Sequence, residues 1–341
     1  MTRAYLDYNA TAPLRPEARA AMVAAMDVLG NPSSVHQEGR GATALVERAR
    51  AQVAAGVGCR PQEVVFTSGA TEAAAVLAAW PGPVEVQATA HDAVFAHARH
   101  NGEGPVIHAM GLANSETGLM TDPPKGRDGA LLLDITQALG RVPFAFSWSG
   151  ADLAICSAHK LGGPKGVGAL IVKQGVDVPA LSLGGGQEMG RRSGTENIIG
   201  IAGFGAAVEA AQKDLDAGVW ARVEKLRNIL ETILVNQVDG LIFVGKDDVR
   251  LPNTSCIVAP GWKGETQVMT MDLAGFAISA GSACSSGKVK SSRVLAAMGH
   301  TDIEAASAIR VSLGPETTEE MITRFADTWM RHYDKHRARA A

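Results

Sequence analysis

Five short apolar runs constrain this chain more than any other feature: Val84-Glu85-Val86, Val106-Ile107-His108, Leu131-Leu132-Leu133, Leu153-Ala154-Ile155 and Gly168 to Val172. Helical or turn-rich segments separate several of them. Such alternation predicts an α/β protein whose mostly parallel sheet is covered by helices on both faces. Upstream, Pro16 to Leu29 reads as a helix, with proline in its first turn and Gly30-Asn31-Pro32 as its stop. A second helix is expected from about Gly41 to Val57, ending at Gly58. Glu63 to Thr67 then reads as a strand running into Ser68-Gly69-Ala70-Thr71-Glu72 and an alanine-rich helix. A strand, a glycine turn and a helix start in that order present backbone N–H groups to an anion.

A long helical stretch covers about Ile201 to Val235, interrupted near Asp216-Ala217-Gly218. Beyond it the elements shorten (Leu241 to Val244, Ser255 to Val258), so a second, smaller α/β domain is expected at the C-terminal end. The division predicted is 16–235 for the large domain, with 1–15 and 236–341 in the small one. The last helix is expected to open on the capping box Thr317-Thr318-Glu319-Glu320. Its stripe of Ile322, Phe325, Trp329 and Tyr333 reads as core packing or subunit contact.

Composition excludes several classes. The 341 residues are 46% hydrophobic, enough for a sizeable core, and the net charge of -3 argues against a nucleic-acid partner. No apolar run approaches the roughly 20 residues of a membrane span. Met1-Thr2-Arg3-Ala4-Tyr5 has no apolar signal-peptide core. The cysteines at 59, 156, 256 and 284 form neither a CxxC pair nor a metal-ligand spacing. A reduced cytoplasmic enzyme with no metal and no membrane partner is expected.

Two segments carry chemistry. In Asp152 to Gly168 a buried strand ends in Ser157-Ala158-His159-Lys160 and is followed by Gly162-Gly163 and another apolar strand. Most lysines are surface cations. One at a strand end, beside hydroxyl and imidazole groups and flanked by glycines, can be desolvated enough for Schiff-base chemistry. In Leu131-Leu132-Leu133-Asp134-Ile135-Thr136-Gln137 an acid ends a buried strand. It either caps the next element or holds a pyridinium nitrogen protonated, as pyridoxal phosphate requires.

With this spacing, Asp134-x-x-Gln137 and Ser157-x-His159-Lys160 resemble the class V aminotransferase family of fold-type I pyridoxal-phosphate enzymes. Within it the chain closely resembles the group I cysteine desulfurases. The likeness includes Tyr5 to Thr11, Gly30 to His36, Thr67 to Glu72, Gly184-Gly185-Gly186-Gln187-Glu188, Arg192-Ser193-Gly194-Thr195, Ser279 to Cys284 and Ile309 to Gly314.

The resemblance implies that Lys160 binds the aldehyde of pyridoxal 5′-phosphate and moves protons. It implies that Asp134 pairs with the ring nitrogen, Gln137 approaches the ring oxygen, and His91 stacks on the ring and serves in proton transfer. Ala70, Thr71, Ser157 and His159 would cradle the phosphate, and Thr195 would reach it from the neighbouring subunit of a homodimer. Arg310 would clamp the carboxylate of L-cysteine, a task suited to guanidinium. Cys284, among small polar residues, would take the sulfur as a persulfide for an acceptor such as an iron–sulfur scaffold. Cys59, Cys156 and Cys256 read as small buried hydrophobes.

Two differences from the family stand out. Its usual pair of asparagines is here Asn114-Ser115, beside ring and substrate, and the shorter hydroxyl gives up one neutral hydrogen bond, about 1 kcal/mol. Only 23 residues separate His91 from Asn114 and only 20 separate Asn114 from Asp134, so the chain is a compact version. The competing readings are a selenocysteine lyase or other class V transaminase, and a catalytically weak regulatory or binding paralogue.

Overall fold

The apolar runs become strands of one six-stranded sheet: β1 (Val64–Thr67), β2 (Val84–Val86), β3 (Ile107–Gly111), β4 (Ala130–Asp134), β5 (Leu153–Ser157) and β6 (Gly168–Val172). Their spatial order is β1-β6-β5-β4-β3-β2. Strands β2 to β5 pair in parallel, while β6 runs antiparallel to both β5 and β1. Strands buried on both faces need no alternation, which is why β5 and β6 are continuous apolar runs with every residue buried. The computed structural model describes residues 3–281 and 291–340, and the predicted sulfur carrier Cys284 lies outside the described residues.

The chain divides into two units. One comprises Thr11–Ala113 and Thr121–Ala217; the other comprises Met1–Ala10, Asn114–Met120 and Gly218–Ala341.

In the first unit the sheet is flanked by α1 (Pro16–Met26), α2 (Gln37–Val57), α3 (Ala70–Ala74) and α4 (Ile198–Asp216). Val65, Leu77, Trp80, Val94, Leu132, Leu153, Ile155 and Leu170 share one core cluster. Phe66, the next residue along β1, meets Phe204 of α4 edge to face with ring centroids 6.3 Å apart. Neighbouring strand residues point to opposite faces, so both faces of the sheet are covered. Helix α1 stops three residues earlier than its composition predicts, and Val28 N–H closes a turn onto the Ala25 carbonyl. Helix α2 starts earlier than predicted because His36 caps it, Nδ1 accepting from Gly39 N–H. The alanine-rich helix is short: after Ala74 it tightens into a 3₁₀ turn over Ala75–Leu77, ahead of Pro81-Gly82.

A buried ion pair closes this unit. Arg50 of α2 and Glu188 meet in a bidentate pair at 2.8 and 2.9 Å, and Glu188 Oε2 also accepts from Phe66 N–H at 2.8 Å. Glu188 and Met189 adopt left-handed backbone angles, φ 48° and 59°. Such strain persists where surroundings over-determine it, and here three hydrogen bonds fix the carboxylate.

The second unit contains α5 (Val219–Gln237), β7 (Ile242–Phe243), β8 (Thr254–Val258), α6 (Gly264–Leu273), β9 (Ser279–Ala280), β10 (Ala308–Ser312) and α7 (Glu319–Ala340). The interruption expected at Asp216-Ala217-Gly218 lies between α4 and α5, where Gly218 has φ 71°. The antiparallel sheet has the order β9-β10-β8-β7. The N-terminal segment lies along β10: Ser312 N–H donates to the Leu6 carbonyl, and Tyr8 N–H to that of Ser312. Ile322, Phe325, Trp329 and Tyr333 of α7 are all buried, Trp329 against Trp262 and Tyr333. The helix cap differs by one residue from the expectation. Thr318 Oγ1 accepts from Met321 N–H, whereas Thr317 Oγ1 is occupied by Gly314 N–H at 2.9 Å. Among the described residues, no helix is long and apolar enough to cross a membrane.

Two glycines test this packing in opposite directions. A Cβ at Gly168 would meet the Cys156 carbonyl oxygen at 2.5 Å and Gly69 Cα at 2.7 Å. Backbone atoms cannot turn aside, so Gly168→Ala is expected to cost about 1–3 kcal/mol in denaturant unfolding. Gly41, inside α2, has nothing within 4 Å of its Cβ position. Gly41→Ala is expected to stabilise by about 0.5–1 kcal/mol in the same measurement.

Candidate functional site

Register places most of the predicted cofactor residues of the first unit on one edge of its sheet. Thr67, Gly168 and Ser157 are direct neighbours across β1, β6 and β5, while Asp134 pairs with Ile155 of β5 and Gly111 of β3. Because β6 runs backwards, its first residue lies between the last residues of β1 and β5. The segment Ser68-Gly69-Ala70-Thr71 follows β1, His91 follows β2, Asp134 ends β4, and Ser157-Ala158-His159-Lys160 ends β5. In open α/β sheets the carboxyl ends of the strands are where ligands bind.

Lys160 closes a 3₁₀ turn, Ala158–Lys160, and is half-buried. Its carbonyl accepts from Arg141 Nη2 at 2.9 Å, and Arg141 Nη1 donates to Gln137 Oε1 at 2.7 Å. One buried guanidinium therefore ties the lysine turn to the turn after β4. Arg141 was not predicted; its only local signal is its place four residues after Gln137. Asp134 Oδ1 accepts from Thr136 N–H at 2.9 Å, and the Thr136 hydroxyl is buried with no partner among the described residues. His159 lies beside Thr11, with Nδ1 and Oγ1 3.1 Å apart. Burial, reinforced by the charges of Lys160, Lys165 and Arg141, lowers its pKa from 6.5 to about 4. A neutral imidazole can donate a hydrogen bond to an anion without adding charge.

The segment after β1 is held from two sides. Glu72 Oε2 accepts from Ser68 N–H and Glu72 Oε1 accepts from Arg192 Nε at 3.0 Å. Burial works against the Glu72 charge, yet its bonds with Ser68 and Arg192 leave its pKa below the usual carboxylate value. Arg192 opens the stretch that carries Thr195, which is exposed, as are Thr71 and His91. Ala70 is half-buried. His91 caps the short helix Asp92–Phe95, its Nδ1 accepting from Ala93 N–H.

The second unit gathers Arg310, Asn114 and Ser115. Arg310 Nη2 donates to Asp7 Oδ1 at 2.8 Å, and its Nη1 donates to the Ser115 carbonyl at 3.0 Å. Its Nε–H is buried with no acceptor among the described residues. Asn114 Oδ1 accepts from Glu116 N–H, Thr117 N–H and the Thr117 hydroxyl, so its side chain shapes the turn. Asp7 was not predicted either, and at 303 positions from Arg310 no local pattern announces the pair.

Cys156 and Cys256 are fully buried and Cys59 is half-buried. Burial is the main cause that pushes all three thiols up to about 12, so none is a nucleophile at neutral pH. Among the described residues, no group of three or more His, Cys, Asp or Glu side chains is placed to hold a metal.

The chain is similar to known proteins over most of its length. The sequence model of the family described as aminotransferase class-V matches residues 4–103 and 106–325. The chain is 41% identical to a cysteine desulfurase of Frankia sp. (strain EuIK1), over 95% of this chain and 89% of that protein. It is 37% identical to a cysteine desulfurase of Cereibacter sphaeroides, over 99% and 97%. These alignments span 378 and 382 positions, more than the chain's own 341 residues, so the relatives hold residues absent here. The crystal structure of a NifS-like protein from Rickettsia africae superposes with a TM-score of 0.90 at 29% identity, covering 97% of this chain and 99% of that one.

The depressed His159 pKa makes stability depend on pH. Between 6.5 and about 4 the folded chain binds fewer protons at this group than the unfolded chain does. Its contribution is complete above 6.5 and is lost as pH falls toward 4. Melting temperatures taken across this window are expected to fall less steeply for His159→Gln than for the parent; equal slopes would show that His159 does not titrate in this way.

Proposed function

The chain belongs to the class V aminotransferase family, and from that premise we propose that it is a pyridoxal 5′-phosphate-dependent cysteine desulfurase. One observation carries the reading: an amine, a carboxylate, an uncharged imidazole and a hydroxyl stand at the carboxyl ends of neighbouring strands, on Lys160, Asp134, His159 and Ser157. That donor set suits an anionic pyridine aldehyde. Lys160 binds the aldehyde, Asp134 faces the ring nitrogen, and Gln137 the ring oxygen. Ala70, Thr71, Ser157 and His159 hold the phosphate, with Thr195 supplied by the second subunit of a homodimer.

When bound, the cofactor withdraws electrons from the substrate's Cα and makes its sulfur a leaving group. The chain's own groups do the rest. Arg310 holds the α-carboxylate of L-cysteine in a two-toothed pair. Lys160 shuttles a proton to and from Cα, and His91 covers the ring and serves a second proton. Asn114 and Ser115 lie beside the substrate. Cys284 attacks the substrate sulfur as thiolate: the S–S bond forms as the C–S bond breaks. The electron pair stays with carbon, which regains the proton that Cys284 lost, so L-alanine leaves and a persulfide remains. That sulfur passes to an acceptor protein, for which an iron–sulfur scaffold is the favoured candidate in a reducing cytoplasm. In this scheme the large cofactor domain is distinct from the smaller one that carries Arg310 and Cys284.

Purified protein supplied with cofactor, L-cysteine and a thiol reductant is expected to release alanine and sulfide in equal amounts. Borohydride should fix the yellow chromophore onto Lys160. Cys284→Ala is expected to lower the rate roughly a thousandfold or more, as loss of a covalent nucleophile does. Pyruvate as product, or turnover of selenocysteine alone, would refute the assignment. Desulfuration by Cys284→Ala at the parent rate would remove the persulfide role, and inactivity of both proteins would favour the regulatory paralogue.

A further inference from the structure

The geometry points to Asp7 as a positioning residue that sets the Arg310 guanidinium for a substrate carboxylate. This rests on the reading of Arg310 as the carboxylate clamp. Both oxygens of Asp7 are engaged: Oδ1 accepts from Arg310 Nη2 at 2.8 Å and Oδ2 from the Ser279 hydroxyl at 2.8 Å. The second arm of the guanidinium is set with equal care. Its acceptor, the Ser115 carbonyl, also takes a bond from Asn9 Nδ2 at 3.2 Å. Asn9 is fully buried and braced in turn by Thr254 and Asn253.

Register explains why these groups meet. Ser279 stands directly opposite Arg310 across β9 and β10, and Asp7 bridges to Ser312, two residues along the same strand. Three segments remote in sequence thus converge on one side chain. Arginine has many rotamers, and one fixed beforehand loses little freedom when a ligand binds. The role of the N-terminal motif Tyr5-Leu6-Asp7-Tyr8-Asn9 follows from this: it supplies the two braces, one direct and one through the Ser115 backbone. The serine that replaces the family's second asparagine leaves the second brace intact, since only its carbonyl is used.

Asp7 has two opposing effects on a ligand carboxylate: its charge offsets that of Arg310, while its geometry fixes the fork. Asp7→Asn removes the charge and keeps an acceptor; Asp7→Ala removes both. If positioning dominates, Asp7→Ala raises the KM for L-cysteine about tenfold, the effect of about one charge-assisted hydrogen bond. In that case kcat changes far less, and Asp7→Asn restores most of the loss. Cysteamine, which has the thiol and amine of cysteine but no carboxylate, should bind the holoenzyme of parent and Asp7→Ala equally by calorimetric titration. Ser279→Ala, which frees one oxygen of Asp7, should give a smaller KM rise of the same kind and decides the question if Asp7→Ala does not fold. Equal weakening of cysteine and cysteamine, or a fall in kcat alone, overturns the positioning role. Arg310→Ala separates the two layers. If it discriminates cysteine from cysteamine while the Asp7 and Ser279 variants do not, the clamp stands and the positioning role falls. If it discriminates nothing, the clamp itself falls.

Discussion

Strand β6 enters its sheet against the direction of its neighbours, and the assembly of the candidate site in this unit depends on that reversal. An antiparallel return needs only a short connection, whereas a parallel neighbour would require a crossover of a dozen residues or more. The connection from Ser157 to Gly168 carries Lys160, so the amine sits in a tight loop rather than on a long excursion. Gly168 completes the arrangement. Lacking a side chain, it lets Gly69 approach from β1 while Cys156 passes on the other flank. A hairpin and one missing methyl group thus set the distance between the lysine turn and the segment proposed to hold a phosphate.

Buried guanidinium groups form a second theme, and each has a stated partner. Arg50 is matched by Glu188, Arg250 by Glu231, Arg310 by Asp7, and Arg141 by an amide and a carbonyl. An unpaired charge in such places would cost several kcal/mol. Pairing offsets part of that penalty and ties segments remote in sequence to one another. The three described thiols show the opposite strategy. Burial keeps them protonated, at Cys256 even against the opposing charges of Arg310 and Arg250, which confines sulfur chemistry to Cys284 in the proposed scheme.

Local pattern made the strands, most helices and the lysine proposed to bind the cofactor legible. Apolar runs at Leu131 to Leu133 and Gly168 to Val172 have only one economical use, and the acid and lysine that end two such strands stand out against their surroundings. What stayed hidden was whatever depended on pairing across the chain. The direction of β6 cannot be read from its own five residues, and neither Glu188 nor Asp7 has a sequence neighbour that betrays its partner. The cap of α7 was misplaced because two threonines in succession offer equal candidates; a turn at Gly314 claimed the first. His36 escaped notice as a cap because its ring nitrogen does the work usually done by a hydroxyl or carboxylate.

The bond between Arg50 and Glu188 also imposes an order of events on a growing chain. The two residues are 138 positions apart, and ribosomes add about 5–20 residues per second, so the arginine is incorporated roughly 7–28 seconds before its carboxylate. During that interval desolvating the guanidinium against β1 is unfavourable. Docking of α2 against β1 therefore gains its full stability only after the glycine-rich stretch around Glu188 has been synthesised.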